Sequence, residues 1–148
     1  MFSALCQKDV IVNGIKSFSV FSVQCSFKNV FQTEKYLKVL THKWYRSNLV
    51  RFRVRTLGLN ATKRWYHTDT SAGSPCPMCG WQTEDEVHFL FVCKSYDDIR
   101  QKCMLVSEEI LKRMDITSIL LSEDEALLRS LAKFISLAWD RRRKKMTL

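Results

Sequence analysis

The period of the apolar residues changes along the chain, and each change marks an element. From Ser17 to Phe27 (Ser-Phe-Ser-Val-Phe-Ser-Val-Gln-Cys-Ser-Phe) apolar and small polar residues partly alternate, a period of two that suits a strand. With Ile11-Val12 this predicts either an edge hairpin or a poorly ordered extension over residues 1–30. From residue 34 the period lengthens. Leu37, Leu40, Trp44, Tyr45, Leu49, Phe52 and Thr56 fall mostly three and four apart, predicting one helix over 34–57 with Thr33 as N-cap and Gly58 just past its end. Arg51-Phe-Arg-Val-Arg55 alternates like a strand, but its flanks are helical. Residues 60–73 connect, ending in the turn-rich Ser71-Ala-Gly-Ser-Pro75. A helix over 96–114 follows, capped by Ser95, with Tyr96, Ile99, Cys103, Val106, Ile110 and Met114 on its apolar stripe. The last helix, 123–145, opens on a Ser122–Glu125 capping box and carries Leu128, Leu131, Ile135 and Ala138. The predicted fold is mainly α: a helical domain over 31–148 behind an N-terminal extension, with a short β segment in the extension.

The stretch 74–95 follows neither period. It reads Cys76-Pro-Met-Cys79-Gly-Trp-Gln-Thr-Glu-Asp-Glu-Val-His88-Phe-Leu-Phe-Val-Cys93: C-x2-C, eight residues, then H-x4-C. Two thiols three apart on a tight turn point to one side; Pro77 stiffens the turn, and Gly80 can take the positive φ on which such a turn often ends. Thr83 and Glu86 form a capping box, predicting that a helix starts near Glu84 and carries His88. On a regular helix His88 and Cys93, five apart, diverge by about 140°. They meet at one ion only if the helix ends or distorts at Cys93. Three thiolates and an imidazole favour tetrahedral Zn²⁺ with every position filled, so the expected cofactor is structural zinc held by Cys76, Cys79, His88 and Cys93. Cys6, Cys25 and Cys103 lie outside the cluster and show no disulfide-framework spacing; Cys103, on an apolar stripe, reads as core.

Composition narrows the classes. The chain has 148 residues, 46% of them hydrophobic, and only four glycines and two prolines, which describes a globular helical chain and not a disordered one. No run approaches the roughly 18 apolar residues of a membrane span. Lys8 and Asp9 interrupt the start, making it a poor signal peptide. Reduced thiols in nucleus or cytoplasm are therefore expected, with no membrane partner. The net charge is +9, and the stretch from Lys35 to His67 holds nine Lys or Arg and no acid. A charge excess confined in this way points to a polyanion, with a solvated helix face as the alternative. RNA or single-stranded DNA is the expected partner, its phosphates met by Lys43, Arg46, Arg51, Arg53, Arg55, Lys63 and Arg64, with Trp65 or Tyr66 stacking on bases. A second basic run, Arg141-Arg-Arg-Lys-Lys145, suits a helix C-terminus and also resembles a nuclear-import or RNA-contacting patch.

These landmarks carry a resemblance. The features Glu34-Lys-Tyr-Leu37, Asn48-Leu-Val-Arg-Phe-Arg53, Leu57 with Leu59, and Arg64-Trp65 are followed by Cys76-x2-Cys79, Glu84-Asp-Glu86, His88-Phe-Leu90, Cys93, Tyr96 and Arg100. Over residues 27 to 145 this order resembles the segment that follows the polymerase domain in non-LTR (LINE-type) retrotransposon reverse transcriptases. One departure is Lys63-Arg64, where such segments often carry Gly-Arg. The resemblance implies a zinc-binding, nucleic-acid-associated tail that helps handle template RNA, without polymerase activity of its own. Tyr96-Asp97-Asp98 echoes a polymerase motif, but no palm-like strands precede it and no third carboxylate is placed upstream. A cysteine nucleophile would need a thiol not given to metal, and a deaminase would need His-x-Glu ahead of its Cys pair. No enzyme is expected. A structural or protein-interaction zinc module, or a retroelement fragment without a role, remain as alternatives.

Overall fold

The computed structural model describes residues 11–12, 15–16, 33–63, 74–103 and 116–147. The chain falls into two units, residues 1–33 and 34–148. In the first, β1 (Ile11–Val12) pairs antiparallel with β2 (Ile15–Lys16), Ile11 opposite Lys16 and Val12 opposite Ile15. The intervening Asn13-Gly14 is the dipeptide that most favours a two-residue hairpin turn. The partner of Ile11-Val12 is therefore the next pair of residues; the strand expected over 17–27 lies outside the described residues.

The second unit is helical. Its elements are α1 (Lys35–Val39), α2 (Lys43–Arg53), a single turn α3 (Asn60–Lys63), the metal-ligand stretch, α4 (Asp97–Lys102), α5 (Ile116–Leu121) and α6 (Glu125–Met146). The spine is α6. Its buried Leu128, Leu131, Ala132, Phe134, Ile135, Ala138 and Trp139 recur at three and four, giving a continuous apolar stripe. That stripe packs chiefly against α2, and also meets α1 and α4. On the α2 side Leu49 and Phe52 are buried, and Asn48 Nδ2 donates to Ser136 Oγ at 3.0 Å. One buried polar pair inside an apolar contact fixes the register of the two helices, because sliding would leave both groups unbonded.

The expected single helix over 34–57 is two helices. Leu40 leaves helical geometry (φ −92°, ψ 95°), and His42 restarts it, accepting from Trp44 N at Nδ1 over 3.3 Å. The break resets the buried face: Val39 and Leu40 turn inward while Leu37 is exposed. Thr33 does not cap; the N-cap residue is Glu34, whose side chain makes no capping bond. The helix end also differs. Arg55, at φ +57°, takes the left-handed position after C-cap Val54, with Arg55 N donating to Phe52 O (3.0 Å) and Thr56 N to Arg51 O (2.7 Å). This is a Schellman closure, which usually uses glycine. Arg55 holds it because its guanidinium is clamped by both Glu86 oxygens at 2.8 and 3.1 Å.

The other caps move by a residue or two. Ser95 sits inside a 3-10 turn, Lys94–Tyr96, and its hydroxyl donates to Met78 O at 3.1 Å, so α4 follows that turn without a side-chain cap. Of the helix expected over 96–114, α4 is the described part; residues 104–115 lie outside. For α6 the cap is Asp124, whose Oδ1 accepts from Leu127 N at 2.6 Å, while Ser122 Oγ accepts from Asp124 N. Cys103 is buried in the core, as its place on the apolar stripe predicts.

Candidate metal centre

The metal-ligand stretch begins as a loop closed on itself. Cys76 N donates to Trp81 O and Gly80 N to Cys76 O, both at 2.8 Å, wrapping residues 76–81 into a tight turn. Gly80 has φ +76° with open space where a Cβ would stand, so backbone conformation alone is the reason for glycine there. Ser74 and Thr83 then bridge, and Glu84 N donates to Ser74 O at 2.7 Å. The helical turn starts two residues later than a Thr83 cap would place it. Asp85 is the cap, its Oδ1 accepting from His88 N at 2.7 Å, and Thr83 stays exposed in the bridge.

The distortion required to unite His88 with Cys93 is present. Residues His88–Val92 form a π-helical turn in which Cys93 N donates to His88 O at 2.8 Å, five residues back. Widening the turn brings side chains five apart to one side, where a 3.6-residue helix would separate them. Arg100 holds the turn open: buried, it donates from Nε to Leu90 O and from Nη2 to Cys93 O, both at 2.6 Å. Phe89 fixes the turn to the core. Its ring meets Phe52 and Phe134 at 5.8 Å and Tyr96 at 5.1 Å.

The result is a four-ligand cluster that can hold a metal ion. One ligand atom from each of Cys76, Cys79, His88 and Cys93 lies within 4.8 Å of all the others. Cys76 Sγ and Cys93 Sγ are 3.8 Å apart, and Cys79 Sγ is 3.3 Å from His88 Nε2. A tetrahedral zinc with Zn–S near 2.3 Å would set two sulfurs about 3.8 Å apart, so the donor set fits that ion in kind, and the Cys76–Cys93 pair in spacing. Burial lowers the pKa of His88, favouring the neutral imidazole that ligates. Burial pushes the Cys93 thiol up to about 12 and raises Cys76 as well, so ionising them in place calls for a cation close by. Cys79 is exposed and the other three ligands are buried.

The cluster is tied to the end of α6 by groups that the hydrophobic pattern does not reveal. Glu84 is 0% exposed and meets Arg142 through two bonds, Nε to Oε1 at 2.6 Å and Nη2 to Oε2 at 2.7 Å. Asn60 completes the network: its backbone N donates to Glu84 Oε2 at 2.9 Å, and its Oδ1 accepts from Arg142 at 3.1 Å. Arg141 is bidentate to Asp98 at 2.6 and 2.7 Å, and Lys145 Nζ donates to Met78 O at 3.1 Å. The resemblance had marked Glu84, Glu86 and Arg100 without giving any of them a task.

The basic side chains expected to meet phosphates are dispersed. Lys43 and Arg51 are exposed on α2. Arg46 is half-buried, with Nη1 3.5 Å from Leu40 O. Arg53 lies over the Tyr36 ring at 4.5 Å, ion-pairs with Glu34 and donates to Leu120 O. Arg55 faces Glu86. The Lys63 side chain, Arg64, Trp65 and Tyr66 lie outside the described residues. The stretch that is acid-free in sequence thus receives Glu34 and Glu86 from either side of it. Among the described residues no helix is long and apolar enough to cross a membrane. Compared with protein-family models, curated proteins and solved structures, the chain matches none of them.

Proposed function

We propose that this chain is a zinc-stabilised module that binds single-stranded nucleic acid through its phosphates, without strong sequence preference, of the kind that follows the polymerase domain in LINE-type reverse transcriptases. Zinc is the ion that three thiolates and an imidazole in a filled tetrahedron select. Its task is to close the loop 76–81 onto the π turn and so to hold Glu84 and Asp85 in place. The nucleic-acid reading rests on one observation: Lys35, Lys38, Lys43 and Arg51 are exposed on α1 and α2 and make no ion pair among the described residues. Phosphate contact dominates because no set of side chains on these helices is arranged to read base edges.

In this reading the chain performs no catalytic step. Asp97 and Asp98, the acids of the Tyr-Asp-Asp sequence, ion-pair with Arg100 and Arg141 instead of facing a shared metal position. A mobility-shift titration of zinc-loaded protein with random single-stranded RNA over a salt series is the test. Four phosphate contacts give a log–log slope of about −3. The second reading, a structural or protein-interaction module, is favoured by the pairing of Arg53, Arg55, Arg141 and Arg142 with carboxylates. Absent or salt-independent binding selects it.

A further inference from the structure

Trp81 is the most exposed large apolar side chain among the described residues, 57% accessible. It is nevertheless well anchored. Its backbone oxygen closes the loop of Cys76 and Cys79, and its ring lies parallel to that of His88, 8° between planes and 6.1 Å between centroids. A flat aromatic ring held in water by a stiff turn suits a planar partner. An apolar protein surface would want a wider patch, yet the chain neighbours Cys79, Gly80, Gln82 and Thr83 are exposed and small or polar.

Basic residues from the end of α6 come up to this loop. Lys145 reaches it, Nζ to Met78 O at 3.1 Å, and has no carboxylate partner among the described residues. Ser95 Oγ donates to the same carbonyl, and the exposed Lys94 is the residue just before Ser95. Arg143 and Lys144 share the single carboxylate of Asp140, leaving one of their charges uncompensated. None of these groups belongs to the basic face of α1 and α2.

We propose that Trp81, with Lys94 and Lys145, forms a second contact surface on the metal-binding loop. It takes one unpaired nucleotide of an RNA or DNA single strand, the base stacking on the indole and the flanking phosphates meeting the two lysines. The inference rests on the nucleic-acid reading above and adds a surface that the charge pattern does not name. Its reach is limited to unstacked bases, since a duplex offers no free base face.

The test uses the full zinc-loaded chain with oligouridylate, oligothymidylate and a duplex of the same length. Trp81→Ala is expected to weaken both single strands by roughly 5- to 150-fold with the salt slope kept, and to leave duplex binding unchanged. Trp81→Phe keeps a stacking ring, so it is expected to retain most of the affinity while losing part of the fluorescence quench of the parent. Lys145→Gln is expected to lower the single-strand slope by about 0.7. Zinc content and melting of each variant report the fold. Trp81→Ala binding single strands as tightly as the parent overturns the inference while the nucleic-acid reading stands. Equal losses on single strand and duplex overturn it too, as does wild-type protein that binds neither, which removes both. A loss in Trp81→Ala that Trp81→Phe restores, at full zinc content, is the supporting result.

Discussion

The chain carries two basic runs, one along α1 and α2 and one at the end of α6, and the structure treats them differently. In the first, the arginines nearest the core, Arg53 and Arg55, are taken by Glu34 and Glu86, while Lys35, Lys38, Lys43 and Arg51 point to solvent. In the second, Arg141 and Arg142 reach carboxylates of the metal-ligand region and its flank, more than forty residues away in sequence. The first run decorates a helix pair that is held by its own apolar face. The second fastens a helix end to the metal loop. A fork of donors matches two carboxylate oxygens, which is why the fastening residues are arginines and the unpaired ones mostly lysines.

With zinc bound at the cluster, as proposed above, removing the metal should break the comparison most strongly. Structural zinc contributes roughly 10–16 kcal/mol of apparent binding free energy in zinc-finger peptides, so chelation is the largest perturbation available. Hydrogen exchange is expected to show protection lost first over 74–93 and the last turns of α6, while α2 and the middle of α6 keep theirs through Asn48, Leu49, Phe52 and Ser136. Uniform loss across both helices would erase the distinction. The pH dependence should invert as well. Without metal, burial pushes the Cys93 thiol up to about 12 from the ordinary thiol value of 9.0, so its contribution is complete below about 9 and is lost as pH rises toward 12. With zinc the thiolates are the bound form, and stability falls as acid reprotonates them. Melting curves of loaded and metal-free protein from pH 5 to about 10 check both signs.

Next in size is the buried pair. Glu84 and Arg142 are 0% and 3% exposed in their side chains. Arg142→Ala leaves a carboxylate without its partner in the interior, and an unfolding free energy lower by about 3–5 kcal/mol is expected in denaturant titrations of zinc-loaded protein. Replacing Glu84 and Arg142 together by apolar residues should recover much of that loss. A double variant as weak as the single would mean that packing of Arg142 on Trp139, 5.0 Å from its ring, dominates.

How far these differences could be read in advance depends on distance along the chain. The clustering of Cys76, Cys79, His88 and Cys93 was legible because the turn 76–81 and the step from His88 to Cys93 are local, and five-residue spacing forces a choice between divergence and a distorted helix. The apolar stripe of α6 was legible from its period. The break at Leu40–His42 was not, since neither proline nor glycine marks it and the three-and-four spacing of Leu37, Leu40 and Trp44 runs across it. The use of Arg55 as the left-handed helix end was hidden for a related reason. Gly58 looks better suited, and Arg55 is made suitable by Glu86, thirty-one residues later. Arginines that serve partners elsewhere in the fold look in sequence like those that serve solvent. That is why the acid-free stretch read as one uniform face.

A smaller effect sharpens the contrast within the first run. Lys43→Gln with Arg51→Gln removes two exposed cations and is expected to lower the single-strand salt slope by about 1.4, with melting unchanged. Arg53→Gln with Arg55→Gln should do the reverse, lowering melting and leaving the slope nearly as it was. If both pairs flatten the slope equally, the carboxylates of Glu34 and Glu86 do not compete with phosphate, and the exposed and the ion-paired cations are equivalent in binding.

The smallest expected effect distinguishes adjacent residues. Arg141 and Arg142 are neighbours in sequence, both bidentate to a carboxylate, yet Arg141 and Asp98 are largely in solvent, at 39% and 49% side-chain exposure. The hydrogen bonds from Arg141 hold the Asp98 carboxyl down to about 2, below the ordinary 3.8, so the pair's contribution is present above about 3.8 and fades as pH falls toward 2. At neutral pH Asp98 is ionised with or without its partner, and water and salt screen the attraction. Arg141→Gln is therefore expected to shift melting slightly at low salt and not at all at high salt, because removal exposes no buried charge. Arg142→Gln should stay strongly destabilising at both, since screening does not reach Glu84. Two neighbouring arginines with equal, salt-sensitive losses would show that the helix end is held by surface charge. Unequal losses, with only the smaller one sensitive to salt, would place the fastening in the buried network of Glu84, Arg142 and Asn60.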